Sequence, residues 1–274
     1  MLEAILAFVF GLLIGSFLNV CIYRLPRDLS IVRPRSQCVV CRHMIAWHDN
    51  IPVLSYLLLR GRCRHCGGSI ALRYPLVELL TGGLFLLYIQ MLGPTLEGAK
   101  FCLLGALMLA LIVTDLEQRI LPDELTLGGL AAGLVLAWFV PVDDVTARAL
   151  LWAFGADPGL RWGSLAEAVL GALLPALSLW LVGAIYYRLR RREGLGLGDV
   201  KLMALVGAFL GSRSALLTLI CGSVLGSIVG LIYIRLTGKD SATYELPLGT
   251  FLGIAAILVS FAGQPVIAWY RGLF

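Results

Sequence analysis

The chain has 274 residues, of which 59% are hydrophobic and 14% charged, with a mean hydropathy of +0.89. So few charges cannot coat a water-facing surface, which excludes a soluble globular domain and implies a multi-span membrane protein. The formal charge of +5, from 22 Lys and Arg against 17 Asp and Glu, matters less than where the cations fall.

A span needs about 20 apolar residues. In chain order, eight segments are predicted, at 2–23, 76–92, 101–114, 125–140, 165–187, 200–210, 215–234 and 248–262, the third, fourth and sixth being short. The first lacks a basic stretch ahead of it and is followed by Arg24 and Arg27, so it is expected to stay as an anchor and not to be cleaved as a signal peptide. The expected fold is an all-α membrane protein of about eight transmembrane helices with a small zinc-binding cytoplasmic loop domain. Its parts are a first helix at 1–23, a tetracysteine loop at 24–74 and a transmembrane catalytic bundle at 75–274.

Arginines crowd the loop after the first span, from Arg24 to Arg73, and Arg188, Arg190, Arg191 and Arg192 follow the fifth. Loops rich in Lys and Arg stay in the cytoplasm. Counting spans from there places loops 24–74, 115–124, 188–199 and 235–247 inside, and leaves 141–164, with Asp143, Asp144 and Asp157, outside. The arginines form no basic helical stripe with interleaved aromatics, so topology and anionic headgroups explain them better than nucleic acid does.

The first inner loop carries Cys38-Val39-Val40-Cys41 and Cys63-Arg64-His65-Cys66. Two C-x-x-C pairs roughly 20 residues apart match a four-thiolate zinc site. Four sulfurs close the coordination shell, so the metal is expected to be structural. Gly67 and Gly68 would let backbone N–H groups reach the sulfurs. The alternatives are two disulfides or ordinary thiols, and a reducing compartment disfavours the disulfides. His43, His48 and His65 are not needed as ligands. Cys21, Cys102 and Cys221 fall in apolar spans and behave there as small hydrophobes.

Acids beside lipid are costly and mark function. Asp115 ends the third apolar segment, in Thr114-Asp115-Leu116-Glu117, and Asp199 opens the sixth, after Gly194, Gly196 and Gly198. Both fall on the inner face, although the arginines set the orientation. Asp199 could be an ordinary helix cap. Two acids around one water share a proton, one drawing a proton from the water while the other donates to a carbonyl oxygen. No G-x-S-x-G or H-E-x-x-H occurs in the chain.

Together these motifs resemble the type IV prepilin peptidases, membrane aspartyl proteases of the GxGD class. The likeness runs through Gly15-Ser16-Phe17-Leu18-Asn19-Val20, both cysteine pairs, Ile51-Pro52-Val53-Leu54-Ser55-Tyr56, Arg73-Tyr74-Pro75-Leu76-Val77-Glu78, the run from Asp115 to Asp123, and Gly196-Leu197-Gly198-Asp199. It implies a bacterial inner-membrane enzyme that cuts the basic leader from type IV prepilins or type II secretion pseudopilins on the cytoplasmic face, then methylates the new N-terminus with S-adenosylmethionine. It implies Asp115 and Asp199 as the catalytic pair and ties the tetracysteine loop to members with both activities. Where the family tends to have Pro-Phe-Gly-Pro, this chain has Pro247-Leu248-Gly249-Thr250. No Rossmann fingerprint is present, so Glu78 is the candidate contact for a cationic group of methyl donor or substrate, with pairing to Arg73 as its ordinary alternative. Lys201 and Arg119 could tune the acids or simply snorkel. Two other classes stay open: a proton-coupled carrier using Asp115 and Asp199, and a zinc-organised assembly factor.

Overall fold

The computed structural model describes residues 2–191, 195–237 and 246–272, so parts of the inner loops at 188–199 and 235–247 lie outside the described residues. All eight predicted apolar segments lie on helices. The helices are α1 (Leu2–Arg24), α2 (Leu54–Leu58), α3 (Arg73–Leu92), α4 (Leu96–Gln118), α5 (Asp123–Phe139), α6 (Thr146–Ala153), α7 (Gly159–Arg190), α8 (Leu197–Thr237) and α9 (Leu248–Arg271). Among the described residues extended pairing is limited to the isolated bridges Gln37 to Met44 and Arg62 to Ser69.

By length and composition α1, α3, α4, α7 and α8 can each cross a membrane, and residues Leu248–Gly263 form a shorter apolar helix. Large apolar side chains such as Phe10, Leu13, Leu87, Val135, Leu181 and Ile232 point outward, a surface that lipid accepts and water does not. α8 is two rods, because Gly211 has φ 79 and ψ 174 and breaks the helical path between the sixth and seventh predicted segments. The first rod, residues 197–210, rises about 21 Å at 1.5 Å per residue. That is short of the ~30 Å hydrocarbon, so its two ends cannot both reach the headgroups of an undeformed bilayer.

The chain divides into two compact units, Met1–Ala110 and Leu111–Phe274. In the first, α1 packs on α3 through glycines. A Cβ on Gly15 would stand 2.7 Å from the Glu78 Cα, and one on Gly11 2.8 Å from the Gly82 Cα. Small residues permit such approach where lipid removes the hydrophobic drive for helices to associate.

In the second unit α8 packs against α5, α7 and α9. Its first rod is lined by the buried Leu202, Met203, Leu205, Val206 and Phe209. Gly171 of α7 and Gly207 of α8 meet backbone to backbone, leaving no room for a side chain on either. Asp144, expected only as an outer-loop charge, is buried at the Gly211 break. It accepts hydrogen bonds from the Ser212 hydroxyl at 2.8 Å, the Arg213 N–H at 3.0 Å, and the N–H groups of Val145 and Thr146 at 2.7 and 3.2 Å. Nearby, buried Glu167 accepts the Ala147 and Arg148 N–H groups, each at 2.9 Å. These acids satisfy the first turn of α6 and the broken backbone of α8, so burying them leaves few orphan donors.

Candidate functional site: two carboxylates and a four-thiol cluster

α4 ends just past Asp115. The Arg119 N–H returns to the Asp115 carbonyl at 2.8 Å with Arg119 at φ 56, and Pro122 then starts α5. The Asp115 side chain is buried and meets the N-terminus of α9. Its Oδ2 accepts the Thr250 N–H at 2.6 Å and the Thr250 hydroxyl at 2.8 Å. Gly249 covers the same carboxylate, since a Cβ there would lie 3.2 Å from Cγ and Oδ2.

Asp199 sits in the first turn of α8. Its N–H bonds to the Gly196 carbonyl at 3.2 Å, and the Gly196 N–H bonds to its carboxylate, closing a small ring that the unhindered backbone of the glycine loop permits. Leu121 joins the two acid-bearing segments. A Cβ on Gly198 would stand 3.1 Å from the Leu121 Cβ, and one on Gly249 2.9 Å from the Leu121 Cδ1. Asp115 and Asp199 lie close enough for the charge of one to act on the other. Both carboxylates stand at helix N-termini, Asp199 at its own and Asp115 at that of α9, where amide dipoles favour anions.

Of the other residues singled out in the sequence, Lys201 is occupied by Asp123, and Gly194 lies outside the described residues. Thr250 was not foreseen as a partner of Asp115. The departure at Pro247-Leu248-Gly249-Thr250 marked the position, and a hydroxyl residue in a helix's first turn is the only further signal.

The four cysteines converge in the first unit. Cys38, Cys41, Cys63 and Cys66 place their sulfurs within 4.8 Å of one another. Sulfurs ~2.3 Å from a tetrahedral zinc stand about 3.8 Å apart, and the Cys38 and Cys66 sulfurs are separated by 3.9 Å. Each pair builds the same knuckle. The Cys38 N–H reaches the His43 carbonyl and the Arg42 N–H the Cys38 carbonyl, both at 2.9 Å; the Cys63 N–H reaches the Gly68 carbonyl at 2.8 Å and the Gly67 N–H the Cys63 carbonyl at 2.9 Å. The residue after each second cysteine turns left-handed, Arg42 at φ 57 and Gly67 at φ 68.

Backbone N–H groups of Cys66 and His65 lower the Cys63 thiol to about 7. The Gly68 N–H lowers Cys66, but burial and the neighbouring sulfurs outweigh it and push that thiol up to about 11. The donor set therefore fits a tetrahedral metal with N–H groups aimed at sulfur. The His43 and His65 rings stack across the knuckles with centroids 3.5 Å apart. Arg64 grips Asp49 with contacts of 2.6, 2.8 and 3.1 Å, and its hydrogen bonds hold the Asp49 carboxyl below the usual carboxylate range.

Glu78 is buried on α3 and accepts the Val53 N–H at 2.7 Å together with a hydrogen bond from the Ser16 side chain. Val53 has φ 61 and ψ −47, and the Leu54 N–H closes onto the Pro52 carbonyl at 2.6 Å. This is the rare, strained kind of γ-turn, and a β-branched residue there is a backbone outlier. One turn along α3 from Glu78, the Tyr74 carbonyl accepts the Asn19 side-chain amide at 3.0 Å, while the buried Asn19 Oδ1 has no hydrogen-bond donor among the described residues.

The family pattern described as the bacterial peptidase A24 N-terminal domain matches residues 9–92, and that of the type IV leader peptidase family matches residues 102–231. A prepilin leader peptidase/N-methyltransferase of Myxococcus xanthus is 41% identical over 244 residues, covering 89% of this chain and 67% of that protein. The protein of the same name from Pseudomonas putida is 37% identical, covering 96% of this chain and 92% of its own, and the one from Legionella pneumophila 35% identical, covering 96% and 93%. No solved structure matches the chain.

Proposed function

For a chain that belongs to the type IV leader peptidase family, we propose that Asp115 and Asp199 hydrolyse the bond between the basic leader and the apolar N-terminal helix of a prepilin or pseudopilin. The observation that carries this reading is the convergence of two buried-edge acids within one compact unit. One carboxylate takes a proton from water as the oxygen attacks the scissile carbonyl; the other donates a proton to the carbonyl oxygen. Collapse of the tetrahedral intermediate then passes a proton to the departing amine, and both acids regain their starting states.

The enzyme is a peptidase that also N-methylates, and its fold is that of a multi-pass membrane protein. The arginine-rich loops support a bacterial inner-membrane location with the acids facing the cytoplasm, where a pilin's basic leader would remain while its apolar helix lies in the bilayer. In this reading loop 24–74 serves methyl transfer and holds a structural zinc on Cys38, Cys41, Cys63 and Cys66, and 75–274 carries the catalytic pair. Partners are the pilin-type substrates and lipid, with no role for nucleic acid. The carrier and assembly-factor alternatives have no support among the relatives.

S-adenosylmethionine, when bound, supplies an electrophilic methyl group on a sulfonium. The buried Glu78 carboxylate and the donorless Asn19 Oδ1 fit a cationic or N–H-bearing group of donor or substrate. Glu78 would hold that group, and the Val53 N–H and Ser16 would orient Glu78.

The test is incubation of the purified full chain with a prepilin and methyl-labelled S-adenosylmethionine, following leader loss and label separately. D115N and D199N should each lose cleavage by about a thousandfold or more, near the scale of general acid and base catalysis, with normal membrane insertion. E78Q should lose labelling and keep cleavage. Wild-type cleavage by either Asp variant would refute the assignment.

A further inference from the structure

We propose that Thr250 is a positioning residue for leader cleavage, committing one oxygen of Asp115 to two protein donors so that the other oxygen alone receives the proton of the attacking water. The inference rests on the peptidase reading above and adds which atom of Asp115 reacts and what selects it.

A carboxylate oxygen offers two lone-pair sites. At Oδ2 both are taken, by the Thr250 N–H at 2.6 Å and the Thr250 hydroxyl at 2.8 Å. The hydroxyl has one hydrogen to give. Its other neighbour, the Ile112 carbonyl, is at 3.4 Å, so the shorter bond to Asp115 wins. Thr250 is only 4% exposed and Asp115 6%, so bulk water does not compete for the contact. Gly249 closes the same side with backbone, its absent Cβ leaving just enough space for the carboxylate.

Rotating the carboxylate by half a turn exchanges the oxygens without changing the outcome, because one of them is always held. Oδ1 is the atom left for substrate water. Asp199 is held differently: its carboxylate meets the Gly196 N–H of its own loop. The charged groups that act on Asp115 are Arg119, one turn further along the chain, and Asp199 from α8. The dyad is therefore asymmetric: Asp115 is fixed in orientation from a helix 135 residues away in sequence, and Asp199 is held locally. Fixing a reacting group before the substrate arrives removes orientational freedom that would otherwise be lost in the transition state.

Thr250→Val removes the hydroxyl and keeps shape and backbone; Thr250→Ser restores the hydroxyl. One hydrogen bond to a charged group corresponds to about 10- to 100-fold in rate. T250V should lower kcat for prepilin cleavage by about that factor with KM within about twofold, and T250S should return kcat to within about threefold of wild type. Wild-type kcat in T250V, or an equal loss in T250S and T250V, would overturn the inference. Should T250V fail to insert, Thr250→Ala replaces it under the same criteria. D115N separates the two levels. If D115N still cleaves, the peptidase reading fails; if D115N is inactive and T250V is not impaired, that reading stands and the role of Thr250 falls.

Discussion

Lys201 clasps Asp123 with contacts of 2.7 Å to Oδ1 and 2.9 Å to Oδ2, tying the first turn of α8, two residues past Asp199, to the N-terminus of α5. The pair is partly open to solvent, with Lys201 34% and Asp123 57% exposed at the side chain. It is therefore a restraint on the acid-bearing segments more than a source of stability.

K201M should lower unfolding stability by less than about 1 kcal/mol, as exposed ion pairs do, and the difference should shrink as salt screens the pair. Thermal unfolding in detergent at low and high salt checks this. A loss of several kcal/mol would mean that Lys201 supports more than Asp123.

Removing the metal should unfold the loop and leave the helices. Structural zinc contributes about 10–16 kcal/mol in small zinc domains, far beyond what the thin loop can bury. C38S or C66S should release the bound metal and make residues 24–72 sensitive to protease, while α1 and α3 stay protected. Elemental analysis and limited proteolysis with and without chelator measure both. Wild-type protein free of zinc would refute the site.

Where α7 crosses α8, Gly207→Ala should cost more than about 3 kcal/mol or abolish folding, because the new Cβ meets the Gly171 backbone and no side chain can move away. Gly83→Ala and Gly128→Ala meet nothing within 4 Å. They should be neutral or stabilising by about 0.5–1 kcal/mol through helix propensity. Comparing apparent melting temperatures of the three variants tests this contrast.

Acid should attack the Gly211 break. Burial alone would raise the Asp144 carboxyl, but the N–H groups of Arg213 and Val145 and the hydroxyls of Thr146 and Ser212 hold it below its ordinary value. A folded-state value below the unfolded one, about 3.9, contributes stability that is present above that value and lost as pH falls through the folded one. D144A should destabilise by about 3 kcal/mol at neutral pH. Below about pH 4 the gap to wild type should narrow. Unfolding midpoints across that window decide it; a constant gap would exclude a charged Asp144 as the cause.

Much of this protein can be read from local windows. The longer spans are each apolar over about 20 residues on their own account, and the two knuckles follow from the spacing inside each C-x-x-C pair, so the apolar helices and the thiol cluster were both expected, while the short α2 and α6 were not. The short sixth segment stayed short because Gly211 breaks α8, while the third and fourth gained length at their polar ends, where charged residues had hidden the helix from a hydropathy reading. Glu78 was expected near a cation, and its contacts with Val53 and Ser16 were not foreseen.

The sequence by itself determined that the chain is a membrane bundle, where its apolar helices run, which cysteines cluster and which acids end up beside a helix terminus, because hydropathy, metal-ligand spacing and the cost of a charge near lipid act within one or two turns. Tertiary structure alone decided that Thr250 holds Asp115, that Leu121 wedges between Gly198 and Gly249, and that Asp144 mends the break in α8. Those contacts join residues from different helices, and nothing in a linear window records which faces meet; only packing that leaves no side-chain volume at the glycines and no donor without an acceptor selects them.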